Sequence, residues 1–176
     1  MVPPLFVRFQ TASATSSPRT PAPAWLLSAI AKSLSADVQV YVAAAIPHGL
    51  HSFRDELTND TASVVHDDWI NVDPTTDAEA ARHFLFHDCD PTVTAWALTT
   101  MRLFLPLAVY DEVIPRADIE SRVVVPIGDR TLRASWMTAT ARQRLGVEPV
   151  LVDAGHCPHV SQPNAVAAVI ATAPSE

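Results

Sequence analysis

Two residues stand where their types and spacing suit acid–base chemistry. Asp129 follows the β-branched run Val123–Ile127 through Gly128, and His156 follows Val150–Val152 through Asp153-Ala154-Gly155. In an open parallel sheet, reactive groups gather outside the carboxyl ends of the strands, so an aspartate and a histidine on neighbouring tips can meet. A carboxylate against one imidazole nitrogen fixes the tautomer and stabilises the protonated ring, leaving the other nitrogen to act as a base. That is two thirds of a hydrolytic triad, with the acid ahead of the base in the chain. Gly-Asp turns and single histidines also occur for purely structural reasons, and spacing alone does not separate the two readings.

Other residues invite rival chemistry. His83 and His87 stand four apart on an expected helix, with Asp88 and Cys89 adjacent, a spacing able to hold zinc. His48 and His51 form a second pair. No glutamate accompanies His83 as it does in the helical metalloprotease signature, and histidines on helix faces are usually solvated, so no metal site is expected. Cys157, beside His156, would be a thiol nucleophile only if two adjacent loop residues pointed at each other; packing as a small apolar side chain is the expected role. No cofactor is expected.

The elements that must position these groups follow from the apolar pattern. Trp25, Leu26, Ala29, Ile30 and Leu34 share one helical face, and 37–45 then switches to a continuous β-branched and small run, a helix followed by a buried strand that Pro47 ends. A loop and a short helix are expected over 48–57, a helix over 77–88, and another starting at Asp90-Pro91, where Asp caps and Pro takes the first turn. Residues 122–127 and 148–152 predict two further strands, 134–145 and 164–171 two further helices, and Gly128-Asp129-Arg130 a turn. Alternation of this kind predicts an α/β fold of about three parallel strands with helices on both faces. Residues 1–23 mix Pro, Ser, Thr and Ala without either period and predict irregular chain.

Several segments together resemble one family. Val40-Tyr41-Val42-Ala43-Ala44-Ala45-Ile46-Pro47 is similar to the strand after the nucleophile helix in α/β-hydrolases of the plant methylesterase and hydroxynitrile lyase group. His87-Asp88-Cys89-Asp90-Pro91 with Ala95-Trp96-Ala97-Leu98 resembles that group's lid, Gly128-Asp129-Arg130 its acid turn, and Asp153-Ala154-Gly155-His156-Cys157-Pro158-His159-Val160-Ser161-Gln162-Pro163 its histidine ending. The resemblance spans about residues 36 to 172. It implies a partial α/β-hydrolase fold with a helical lid over about 48–105, Asp129 as triad acid and His156 as general base. It also places the nucleophile at a Gly-x-Ser-x-Gly elbow just before the helix at 24–34. The corresponding stretch, 13–23, contains Ser13, Ser16 and Ser17 but no glycine, and its prolines do not suit a strained strand-to-helix turn. The strands and oxyanion loop that the family has upstream are likewise not recognisable. Hydroxynitrile lyases of the group place Lys directly after the catalytic histidine; here Cys157 stands there, which disfavours cyanohydrin cleavage.

The implied activity is hydrolysis of a small-molecule carboxylic ester, and the alternative is an inactive fragment or pseudoenzyme that at most binds an apolar ligand. Composition narrows the partners. The chain has 176 residues, a formal charge of -7 and no basic cluster, so nucleic acid is excluded as a partner. Four glycines against fifteen prolines leave few residues for tight turns. The longest apolar runs fall well short of the roughly 20 residues of a membrane span, no basic region precedes the apolar patch at 1–10, and a cytoplasmic protein with two reduced thiols, Cys89 and Cys157, is expected. A strand at 38–45 without an inner neighbour would leave a sheet edge through which the chain could form a homodimer.

Overall fold

The computed structural model describes residues 24–74, 76–100 and 107–172, and the expectations for 1–23 lie outside these. Three parallel strands, β1 (Val38–Val42), β2 (Glu120–Pro126) and β3 (Val150–Val152), form one sheet in that order. The register pairs Val38 with Glu120, Val42 with Val124, Val124 with Val150 and Pro126 with Val152. All three carboxyl ends therefore open on the same side, which is what brings the turns after β2 and β3 together.

Alternation along the strands divides the core in two. Tyr41, Val123 and Val125 face one side, where they pack with Trp25, Leu27, Phe53 and Met137. Val40, Val42, Val124 and Val152 face the other and pack with Val166 and Val169. The first side is covered by α1 (Leu27–Ser33), which a 3-10 turn at Ala24–Leu26 precedes, by α2 (Phe53–Val64), and by α5 (Ala134–Thr140), which continues as a π-turn through Ala141–Leu145. The other side is covered by α7 (Pro163–Ala171). Helices on both faces of a parallel sheet agree with the sequence pattern and make this a partial α/β-hydrolase architecture.

Between β1 and β2 the chain adds α2, α3 (Ala78–Leu85) and α4 (Pro91–Thr100). Each has a local cause for where it begins. Ser52 and Asp55 form a reciprocal capping box at the start of α2. The Asp77 carboxylate accepts the amides of Glu79 and Ala80 at the start of α3, and Asp90 accepts that of Thr92 as Pro91 opens α4. The last two helices enclose a separate cluster of Ala81, Phe84, Leu85, Phe86 and Ala97.

Three boundaries differ from the sequence reading. The strand expected through residue 45 ends at Val42, because Ala43 takes a positive φ of 48° and turns the chain out of the sheet. Residues 44–46 are apolar because they are buried beneath α2 and α5, not because they pair. The short helix expected near 57 runs twelve residues, with a break in its dihedrals at Asp60. A four-residue helix, α6 (Pro158–Ser161), separates His156 from α7 and was not anticipated.

Candidate active site

Asp129 and His156 meet. His156 Nδ1 lies 2.9 Å from Asp129 Oδ2, although the two residues are 27 apart in sequence. The other carboxylate oxygen, Oδ1, accepts the backbone amides of Thr131 at 2.7 Å and Leu132 at 3.2 Å and the Thr131 hydroxyl at 2.9 Å. This is an Asx-type turn: the aspartate side chain satisfies the amides that follow it and is thereby held in a single orientation. Asp129 is almost wholly buried, whereas the His156 side chain remains 26% exposed. The acid is sealed in and the ring reaches the surface.

Thr131 completes the constellation, and the sequence reading missed it. Its Oγ1 is 2.8 Å from His156 Nδ1 and within bonding distance of Asp129 Oδ1. An ionised carboxylate can only accept, so the hydroxyl donates to Asp129 and its lone pair receives Nδ1–H from His156, which that ring nitrogen shares with Oδ2. The tautomer follows: the proton sits on Nδ1 and Nε2 carries the basic lone pair. Thr131 is itself buried on the Nδ1 side, so its hydroxyl orients the ring and is not placed as a nucleophile for Nε2. The sequence signal was the Asp-x-Thr spacing, which is an Asx-turn pattern.

The electrostatics match this geometry. Burial works to raise the Asp129 carboxyl, but the opposed charge and hydrogen bond of His156, with the Thr131 donors, bring it below the ordinary carboxylate value. Burial alone would likewise lower His156; the charge and hydrogen bond of Asp129 outweigh it and raise the imidazole above its usual 6.5. Burial, and then repulsion from His156, push His159 down to about 4, so it is a neutral neighbour.

The α3–α4 junction packs against this site. The Asp88 Oδ2 atom accepts the amide of Gly155 at 2.6 Å. A Cβ added to Gly155 would stand 2.6 Å from Asp88 Oδ1 and 2.7 Å from His87 Cε1, so only glycine fits beneath that junction. Cys89 and Cys157 both pack against the lid cluster. Burial raises both thiols, Cys89 to about 11, which leaves them poor thiolates.

The zinc alternative is not assembled. Arg130 donates to His83 Nδ1 at 3.2 Å and to the His83 carbonyl, which occupies one of the two ring nitrogens able to hold a metal, while His87 lies against Gly155. Among the described residues no group of three or more His, Cys, Asp or Glu side chains is arranged to hold a metal ion. His48 and His51 contact one another with ring centroids 4.7 Å apart. Ser13, Ser16 and Ser17 lie outside the described residues.

A parallel sheet with a buried aspartate after one strand and a histidine after the next is an arrangement suited to acid–base chemistry. The α/β-hydrolase family model matches residues 11–169, and the chain belongs to that family. Its fold is similar to that of polyneuridine aldehyde esterase, with TM-scores of 0.61 for the enzyme and 0.62 for a point mutant of it, at 13% identity over 81% of this chain. A proposed aryl esterase from Burkholderia cenocepacia superposes with a TM-score of 0.53 at 17% identity over 80% of this chain. The chain spans less than two thirds of these structures, 63% of the first two and 56% of the third. No curated protein matches it. Among the described residues no helix is long and apolar enough to cross a membrane.

Proposed function

We propose that this chain carries the acid–base half of a serine-type carboxylic-ester hydrolase of the plant methylesterase-like group, with Asp129 as the acid, His156 as the general base and a small-molecule ester as substrate. The observation that carries the reading is the 2.9 Å contact between His156 Nδ1 and an aspartate whose other oxygen is held by two amides and a hydroxyl. That arrangement leaves Nε2 as a fixed base able to take a proton from a hydroxyl nucleophile and return it to the leaving alcohol. Cyanohydrin cleavage fits less well, because Cys157 stands where a lysine would be needed and burial keeps its thiol neutral.

A second reading has its own observation. The four glycines, at 49, 128, 146 and 155, are too far apart to form a Gly-x-Ser-x-Gly elbow anywhere in the chain. Without a nucleophile the pair gives only weak residual catalysis, and the chain is then a non-catalytic member that at most binds an apolar ligand. Fluorophosphonate labelling followed by peptide mass spectrometry, with His156→Ala alongside, separates the two. One serine labelled in the parent and not in the variant identifies the nucleophile and an esterase; no labelling of a folded sample leaves the pseudoenzyme.

The family, the acidic charge and the absence of a basic cluster support a cytoplasmic protein with no nucleic-acid partner. Among the described residues β1 pairs with β2 alone, and pairing of its outer edge with that of a second copy is the homodimer we infer. A single monomeric species in light scattering at high concentration would exclude it.

A further inference from the structure

We propose that Asp88 is a positioning residue for His156, holding the base loop from the lid through the amide of Gly155. The proposal rests on the acid–base reading of Asp129 and His156 and extends it to a residue 67 positions away from the loop it grips.

The loop from Asp153 to Cys157 has little of its own to hold it. It leaves a strand of three residues and enters a helix of four. Three attachments bracket the histidine. Ala154 O accepts the amide of Gly128, Gly155 N donates to Asp88, and Cys157 O accepts the amides of Val160 and Ser161. The first and third come from the sheet and from α6; the second comes from the junction between α3 and α4. It is a charge-assisted bond at 2.6 Å, of the stronger class, and it is made by the residue directly before His156. The absent Cβ at Gly155 lets this contact form, because His87 Cε1 and Asp88 Oδ1 occupy the volume that a side chain would need. His87 fills the space beside it as a neutral ring, its imidazole lowered by burial and by Arg130.

A rotation of the Gly155 peptide would turn the His156 Cα–Cβ vector and lengthen the Nδ1 contacts with Asp129 and Thr131. Asp88 therefore acts through the backbone, not on substrate. It also links the two parts of the fold: displacement of the lid junction releases the amide that keeps the base in register with its acid.

The test follows the imidazole signals of His156 by nitrogen-15 NMR through a pH titration, in the full chain and in Asp88→Ala, Asp88→Asn and Asp129→Asn. Asp129 and Thr131 bond to His156 and His159 lies within electrostatic reach of it, and all three are unchanged in both Asp88 variants. The expected result is that Asp88→Ala loses at least half of the elevation of the His156 pKa and exchanges the Gly155 amide proton at least tenfold faster. Asp88→Asn, which keeps an acceptor oxygen at the same place without the charge, retains the parental titration. A parental titration in folded Asp88→Ala overturns the proposal, as does an Asp88→Asn variant that behaves like alanine, since charge and not position would then be the cause. Should the alanine variant fail to fold, Asp88→Glu keeps the charge and shifts the acceptor by one methylene; a parental titration there overturns the proposal too. Failure of the acid–base reading looks different: His156 titrates without elevation in the parent and Asp129→Asn changes nothing.

Discussion

Gly128 donates its amide to the carbonyl of Ala154 at 3.0 Å, and this bond ties the turn that carries Asp129 to the loop that carries His156. It extends the β2–β3 ladder beyond the last strand pair, after Ile127 has donated to Val152 at 2.9 Å. The acid and base are thus brought into reach by backbone pairing before their side chains touch.

Two glycine substitutions should separate steric from conformational causes. Gly155→Ala drives a Cβ into Asp88 and His87, and overpacking of this kind costs about 1–3 kcal/mol. Gly146→Ala meets nothing within 4 Å but must adopt a φ of +69°, which costs on the order of 1–2 kcal/mol. Both lower the midpoint of urea unfolding, yet only Gly155→Ala should displace the His156 signals in an NMR spectrum.

The pH profile follows from the pair. His156 is raised on folding, so its contribution to stability is complete below its unfolded value near 6.5 and is lost as pH rises through the folded value. Asp129 is lowered, so its contribution is complete above about 3.8 and is lost as pH falls through the folded value. Thermal melts across pH should show the pair contributing most between those two limits, and Asp129→Asn should flatten both flanks. Any esterase activity needs neutral His156 and should rise only above pH 6.5, and the residual activity of Asp129→Asn should have its midpoint at lower pH, because the charge that raises the imidazole is gone.

Away from the site, Glu56 and Arg144 join α2 to the π-turn after α5. Their closest atoms are 2.6 Å apart, each side chain is 11% exposed, and the guanidinium also donates to Ile46 O and lies over Trp136. Removing one member of so enclosed a pair leaves the other charged and desolvated, so Arg144→Met should destabilise by about 3–5 kcal/mol in chemical denaturation. Glu79→Ala, which breaks an exposed pair with Arg82, should cost less than about 1 kcal/mol. Equal effects would show that burial is not what matters at Arg144.

Beneath α1, Ser28 Oγ lies 2.6 Å from Tyr41 OH, and Gln39 bridges to both and to Ser121. Tyr41→Phe keeps the ring and strands Ser28 with a poorer set of partners, at a cost of about 1–3 kcal/mol. Far-UV circular dichroism during thermal unfolding measures it.

Where the sequence reading succeeded and failed has physical reasons. β2, β3, α3, α4 and α7 were legible because their apolar periods are clean and their ends carry Asp, Pro or Gly. That Asp129 and His156 could meet was legible because each follows the carboxyl end of one of two neighbouring parallel strands, a position set by topology. The end of β1 was hidden: Ala43 has no feature that announces a positive φ, and the buried Ala44, Ala45 and Ile46 imitate a continued strand. The length of α2 was hidden because its capping box uses Asp55 in place of the usual glutamate. Asp88 drew notice as a neighbour of two histidines and as part of the segment resembling the family's lid; that its carboxylate would find the amide of Gly155 depends on how the α3–α4 junction folds back, which no local pattern encodes.

The chain enters the described fold at Trp25, which is almost fully buried, packed at a tilt against Phe53 and hydrogen-bonded through its indole to Glu112 O at 3.1 Å. That anchorage works as a mooring. Through Phe53 it is tied to the start of α2 and through Glu112 to the chain ahead of β2, so the cover over the first face of the sheet is fastened across the sequence and not only along it.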